Sequence, residues 1–198
     1  MSGRVIGGQR AAIPSEPSKQ QGDLCHTRHP RVIETLRQPR NHPQQKRKEG
    51  DLIIGTMSRS AIGTLVERSS RFVTLVHLQH DHTAETVRDG LVKTVAQLPA
   101  TLRRSLTWDQ GAEMSGHVAF RVATDMDVYF CDPASPWQRG SNENTNGLLR
   151  QYFPKGTDLS RHTPDELQQV AAELNARPRK SLGWDTPAER LRALLEPS

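Results

Sequence analysis

Three carboxylates stand where a chain of this pattern can bring them together. Asp51 opens the apolar run "GDLIIGTM", Asp109 ends "RSLTWDQG", and Glu143 is the lone acid among the asparagines of "RGSNENTNGLL". In one small volume such groups repel each other, and the arrangement is tolerable only if cations neutralise them. Hard oxygen ligands suit Mg²⁺ or Mn²⁺, and Mg²⁺ keeps waters and shares its shell with substrate phosphates. Two ions roughly 3.5 to 4 Å apart activate an attacking oxygen and stabilise the leaving one in an in-line phosphoryl displacement. The chemistry expected here is the cutting and joining of phosphodiesters.

The elements that must position these groups are legible in the periodicity. "GDLIIGTM", "SAIGTLVERSS" and "RFVTLVHLQ" read as three consecutive strands bounded by turn residues. "TAETVRDGLVKTVAQLP" places Ala84, Val87, Leu91, Val95 and Leu98 on one helical face, with Thr83 as N-cap and Pro99 ending the run. "RSLTWDQG" is a fourth strand, "EMSGHVAFRVATD" a short helix and "MDVYFCDP" a fifth strand. The order βββαβαβ, followed by a Pro/Gly-rich loop and a helix, predicts an α/β fold: a mixed sheet flanked by helices on its faces. With the first and fourth strands adjacent, Asp51 and Asp109 project toward one edge and the last helix lays Glu143 over them. The 33 residues between Asp109 and Glu143 suffice for one helix, one strand and one loop.

Other residues divide between site and scaffold. Arg150 follows Glu143 by seven residues, about two turns at roughly 3.6 residues per turn, so it shares a face with Glu143 and offers a cation to a DNA phosphate. Leu148, Leu149 and Tyr152 turn toward the sheet. Trp137, Gln138 and Arg139 lie on the loop before Glu143, where an aromatic and a basic group meet DNA ends. Lys155 is a further candidate contact, as are Arg177, Arg179 and Lys180, for which a plain basic turn is the alternative. Trp108 reads as core, Asp132 as a loop-capping carboxylate, and His77, His80 and His82 as surface residues. "PDELQQVAAELNARP" is a helix capped by Thr163, with Leu167, Val170, Ala171 and Leu174 on one face, and a last helix runs from Thr186 to Leu195.

Charge marks off the front of the chain. The 198 residues carry a net +5, but the first fifty alone carry +6 and the rest −1. Residues 1–48 are rich in Pro, Gln, Arg and His without sustained periodicity and read as a disordered basic arm, suited to a polyanion or simply solvated. Within it Pro30–Gln38 has the pattern of two helical turns, and Cys25, His26 and His29 lack the second pair a zinc site needs. No apolar run is long enough to cross a bilayer and no secretory h-region opens the chain, so a cytoplasmic protein is expected. Cys25 and Cys131 fit reduced thiols.

Five blocks in order, "EGDLI", "SAIGTLVERSSRFVTLVHL", "LTWDQGAEM", "VYFCDPASPWQRGSNENTNGLLRQYFPKGTDLS" and "LNARPRKSLGWDTPAE", resemble the catalytic half of bacterial insertion-sequence-thirty family transposases, members of the DDE transposase and retroviral-integrase superfamily. The resemblance runs from about Glu49 to Leu191. It implies an RNase H-like integrase catalytic core over residues 49–198, with Asp51, Asp109 and Glu143 as a triad holding two Mg²⁺ or Mn²⁺ ions. It also implies hydrolysis at transposon ends, transfer of the freed 3′-hydroxyl into target DNA, and a homodimer or higher oligomer on DNA at the bacterial nucleoid. One departure stands out. Relatives of this kind carry an end-binding helix-turn-helix region and a tryptophan before "EGD", whereas residues 1–48 show no such helices and Lys48 holds the tryptophan position. A frameshift, truncation or alternative start is the expected origin, and a non-catalytic remnant acting as a regulatory or inert subunit is the alternative to an active transposase.

Overall fold

The sheet is organised around its third strand in space, β1, Arg47–Ile54, which pairs antiparallel with β2, Ala61–Glu67, on one side and parallel with β4, Ser105–Trp108, on the other. In the computed structural model the described residues are 47–78, 81–133 and 135–196. The expectations for residues 1–46, for the Cys25, His26 and His29 cluster and for His80 lie outside them. Strand β3, Val73–His77, continues the meander antiparallel to β2, and β5, Asp127–Phe130, lies parallel to β4, giving the order β3-β2-β1-β4-β5. This is the mixed five-stranded sheet that the sequence predicted.

Alternation along the strands sorts side chains between two helical layers. Leu65, Val76, Leu106 and Trp108 face one way, onto α1 (Ala84–Ala96) and α2 (His117–Thr124), through Val87, Leu91, Val95 and Phe120. Ile53 and Ile62 face the other, onto α3 (Gly140–Leu149) and α4 (Pro164–Asn175), with Leu149, Phe153, Leu167 and Leu174. Helix α5, Pro187–Leu195, packs on α4. Local capping follows the sequence: Thr83 accepts from Thr86 N–H, and Thr163 with Glu166, and Thr186 with Glu189, form capping boxes. Trp108 is fully buried, as expected of core.

Strand β1 starts at Arg47, inside the stretch read as an arm, so Asp51 lies within the strand instead of opening it. The cause is long-range pairing: Arg47, Lys48 and Glu49 lie opposite Ser105, Leu106 and Thr107, and Lys48 and Glu49 also opposite Glu67 and Val66. Polar residues thereby enter a strand that a hydrophobic pattern alone would start later. Among the described residues, no helix is long and apolar enough to cross a membrane.

Candidate active site

Strand register creates the site. Extending the β1–β4 offset one step past Gly50 and Trp108 sets Asp51 opposite Asp109, both at the end where the paired strands part. The odd-numbered residues of β1 point toward α3, so Asp51 faces that helix across the sheet from Trp108's layer. Asp51 Oδ1 accepts the N–H of Leu52 at 2.9 Å, and Asp109 Oδ1 accepts the N–H of Gly111 at 3.1 Å, which holds each carboxylate where the β1–β4 pairing ends.

A guanidinium joins the two. Arg139 closes the 3₁₀ turn Pro136–Arg139 that leads into α3; its Nη1 lies 3.3 Å from Asp51 Oδ1 and its Nη2 lies 3.2 Å from Asp109 Oδ2. Its side chain is only 14% exposed. Burial raises the Asp51 pKa above its ordinary value, with Asp109 adding to the rise, while Arg139 and the Leu52 N–H pull it back. Burial works against the charge of Arg139, yet the two carboxylates prevail and its pKa is raised. Burial also pushes the neighbouring Cys131 thiol up to about 11, so this free cysteine is a poor nucleophile.

Helix α3 clamps the site onto the sheet through its asparagines. Asn146 Nδ2 donates to Asp51 Oδ2 at 3.0 Å. Asn142 Oδ1 accepts from the Thr64 hydroxyl at 3.1 Å, and its backbone N–H donates to buried Glu49 Oε2 at 3.0 Å. Glu49 also pairs with Arg68 at 3.4 Å; burial raises its pKa, and the Asn142 N–H and Arg68 oppose the rise. Sequence reasoning passed over Asn142 and Asn146. A signal existed: Arg139, Asn142 and Asn146 recur at i, i+3 and i+7, a single helical stripe beginning with an arginine.

The structure brings Asp51 and Asp109 together and leaves Glu143 apart, exposed on the first turn of α3. Among the described residues no group of three or more His, Cys, Asp or Glu is gathered to hold a metal ion. The donor set still fits a hard cation: two carboxylate oxygens converge on one positive group, and the Asn146 Oδ1 beside them is buried without a hydrogen-bond partner.

The other candidates take varied positions. Trp137 projects into solvent, 71% exposed, while Gln138 is tied to Asp132 by two 2.9 Å hydrogen bonds, Nε2 to Oδ2 and Asp132 N–H to Oε1. Asp132 thus caps the loop. Arg150 does not turn toward the carboxylates; it donates to Ile54 O at 3.3 Å and Phe153 O at 3.4 Å. Arg177 contacts Tyr152 Oη and Glu173 with its guanidinium over the Tyr152 ring, and Arg179 donates to Leu174 O at 3.3 Å. Lys155 and Lys180 are exposed.

The sequence is similar to known proteins. Residues 41–136 match the integrase core domain family, a span that includes Asp51 and Asp109 and stops before Glu143. The chain is 54% identical over 147 residues to the transposase for insertion sequence element IS1086 of Cupriavidus metallidurans, covering 74% of this chain and 43% of that protein. It is 54% identical over 141 residues to transposase InsI for insertion sequence element IS30A of Escherichia coli K12, covering 71% and 36%. It is 35% identical over 147 residues to the transposase for insertion sequence element IS4351 of Bacteroides fragilis, covering 74% and 44%. The chain spans less than half the length of these curated relatives.

Proposed function

We propose, on the premise that this chain carries the integrase core of an insertion-sequence-thirty family transposase, that it cleaves and transfers DNA strands at insertion-sequence ends. The observation that carries the reading is the convergence of Asp51 and Asp109, from adjacent parallel strands, on a single positive group. Integrase-core enzymes generally depend on divalent metal, and the proposed cofactor is Mg²⁺ or Mn²⁺, held by Asp51 and Asp109 with Glu143 as the third ligand. When bound, two such ions supply Lewis-acid activation of the attacking oxygen and neutralise the leaving one.

The remaining work falls to the chain's own groups. Asn146 fixes the rotamer of Asp51 through its Nδ2, so that one carboxylate face stays turned to the substrate side. Trp137, exposed on the loop before α3, offers a stacking surface for an unpaired base at a DNA end. Arg139, Gln138, Arg150, Lys155, Arg177, Arg179 and Lys180 are the proposed phosphate contacts. Exposed Lys155 and Lys180 meet DNA as they stand; Gln138, Arg139, Arg150, Arg177 and Arg179 must first release their present partners. The proposed assembly is a homodimer or larger oligomer on DNA, since transfer needs two ends at once, working in the bacterial cytoplasm at the nucleoid.

A second reading has one observation in its favour. Glu143 stands outside the carboxylate pair, as expected of a non-catalytic remnant that folds and pairs with full-length subunits. A cleavage and strand-transfer assay in Mg²⁺ and Mn²⁺, on end-containing and random duplexes, separates the two. Activity lost in Glu143→Gln supports the transposase; a folded chain inactive in both metals supports the remnant.

A further inference from the structure

We infer that Arg139 is the resident cation of the metal-free site, bridging Asp51 and Asp109 until a divalent ion replaces it. The inference rests on the reading that a divalent ion binds this pair. Two carboxylates on adjacent strands need a counter-charge, and Arg139 supplies it from within the chain. The bridge neutralises well and bonds poorly. An arginine's strongest geometry is a fork laid on one carboxylate; here the two terminal nitrogens reach two different carboxylates at 3.3 and 3.2 Å. Nη1 is buried and close to Asp51, yet has no well-angled hydrogen bond. A divalent ion brings twice the charge to the same oxygens, and the guanidinium is what it must displace.

The surroundings allow that exchange. Arg139 is the last residue of a short 3₁₀ turn, and the next residue, Gly140, has open space where a β-carbon would stand. Glu143 follows Arg139 by four residues, about one helical turn further along the same short segment. Withdrawal of the arginine from the pair and approach of the glutamate to it are therefore motions of one segment.

The experiment is Mn²⁺ titration of the full-length chain without DNA, by calorimetry, alongside metal-free thermal unfolding. A site free for metal one tenth of the time shows roughly tenfold weakened apparent affinity. Arg139→Gln is therefore expected to bind Mn²⁺ about tenfold more tightly than wild type, and to melt at a lower temperature without metal. Arg139→Lys, with one nitrogen that cannot straddle both carboxylates, is expected in between. Mn²⁺ binding by folded Arg139→Gln that is no tighter than wild type overturns the inference; if that variant does not fold, unchanged affinity in Arg139→Lys does so. Binding should be lost in Asp51→Asn, and its retention there would show that the ion sits elsewhere. Wild-type binding indifferent to position 139 overturns only the role of Arg139, whereas no binding by any of the proteins overturns the metal site itself.

Discussion

Gly50 lies directly against the indole of Trp108: a β-carbon on Gly50 would come within 2.2 Å of Cζ3 and 2.3 Å of Cε3 of the ring. The residue after each is a carboxylate of the candidate site, Asp51 or Asp109, so this contact bears on how closely β1 and β4 approach there. Because Trp108 is fully buried, it has nowhere to retreat. Gly50→Ala is expected to cost about 1–3 kcal/mol through overpacking, measured by urea unfolding, and to reduce DNA cleavage with it. Wild-type stability in this variant would show that the indole has more room than the packing gives it.

Lys48 gives a pH signature. Its side chain is buried and its Nζ donates to Leu102 O at 3.0 Å; burial pulls the amine down to about 8, against the attraction of Glu67. Between pH 8 and the ordinary value of 10.5 the unfolded chain holds this proton and the folded chain does not, so this contribution to stability rises with pH. Cys131, whose thiol is pushed up to about 11, acts in the opposite direction, so the informative quantity is a difference between proteins. Wild type should gain on the order of 2 kcal/mol relative to Lys48→Met across that window. Parallel stability profiles for the two would mean that the amine is hydrated in the folded state.

The outer edge of the sheet depends on one side chain. Asn175 Oδ1 accepts the N–H of Val73 and Asn175 Nδ2 donates to Val73 O, both at 2.8 Å, standing in for a missing strand. Both residues are buried. Asn175→Ala strands two backbone groups and is expected to cost about 2–4 kcal/mol. Amide exchange at Val73 should accelerate beyond that of its neighbours; uniform acceleration across β3 would point to a general loss of packing instead.

Asn146 tests orientation apart from stability. Asn146→Ala removes the donor to Asp51 Oδ2, and the loss of such a supporting partner is expected to lower cleavage by roughly 10–100-fold. Its unfolding free energy should change by less than about 1 kcal/mol, because the side chain is only partly buried. Full activity in this variant would remove Asn146 from the site.

The element order, the helix caps at Thr83 and Thr163, and the burial of Trp108 were all legible in the chain, because each depends on residues within a few positions or on a simple period. The start of β1 was not: Arg47 and Lys48 are polar, and they become strand only by pairing with residues far along the chain. Nor was the present place of Arg150. Helical spacing put it on the Glu143 face, but the chain turns at the end of α3, and the guanidinium finds the free carbonyls of Ile54 and Phe153.

By itself the sequence determined the sheet-and-helix architecture through local periodicity, the nomination of Asp51, Asp109 and Glu143 through residue type, and the likeness to an integrase core through five ordered blocks that resemble a known family. Only the tertiary structure decided that Asp51 and Asp109 share Arg139, that Asn146 holds Asp51 from 95 residues away, and that Glu143 stands apart. Those relationships depend on strand register and on the rotation of α3 over the sheet. Burial and charge balance across the whole fold set both, and no stretch of neighbouring residues encodes either one.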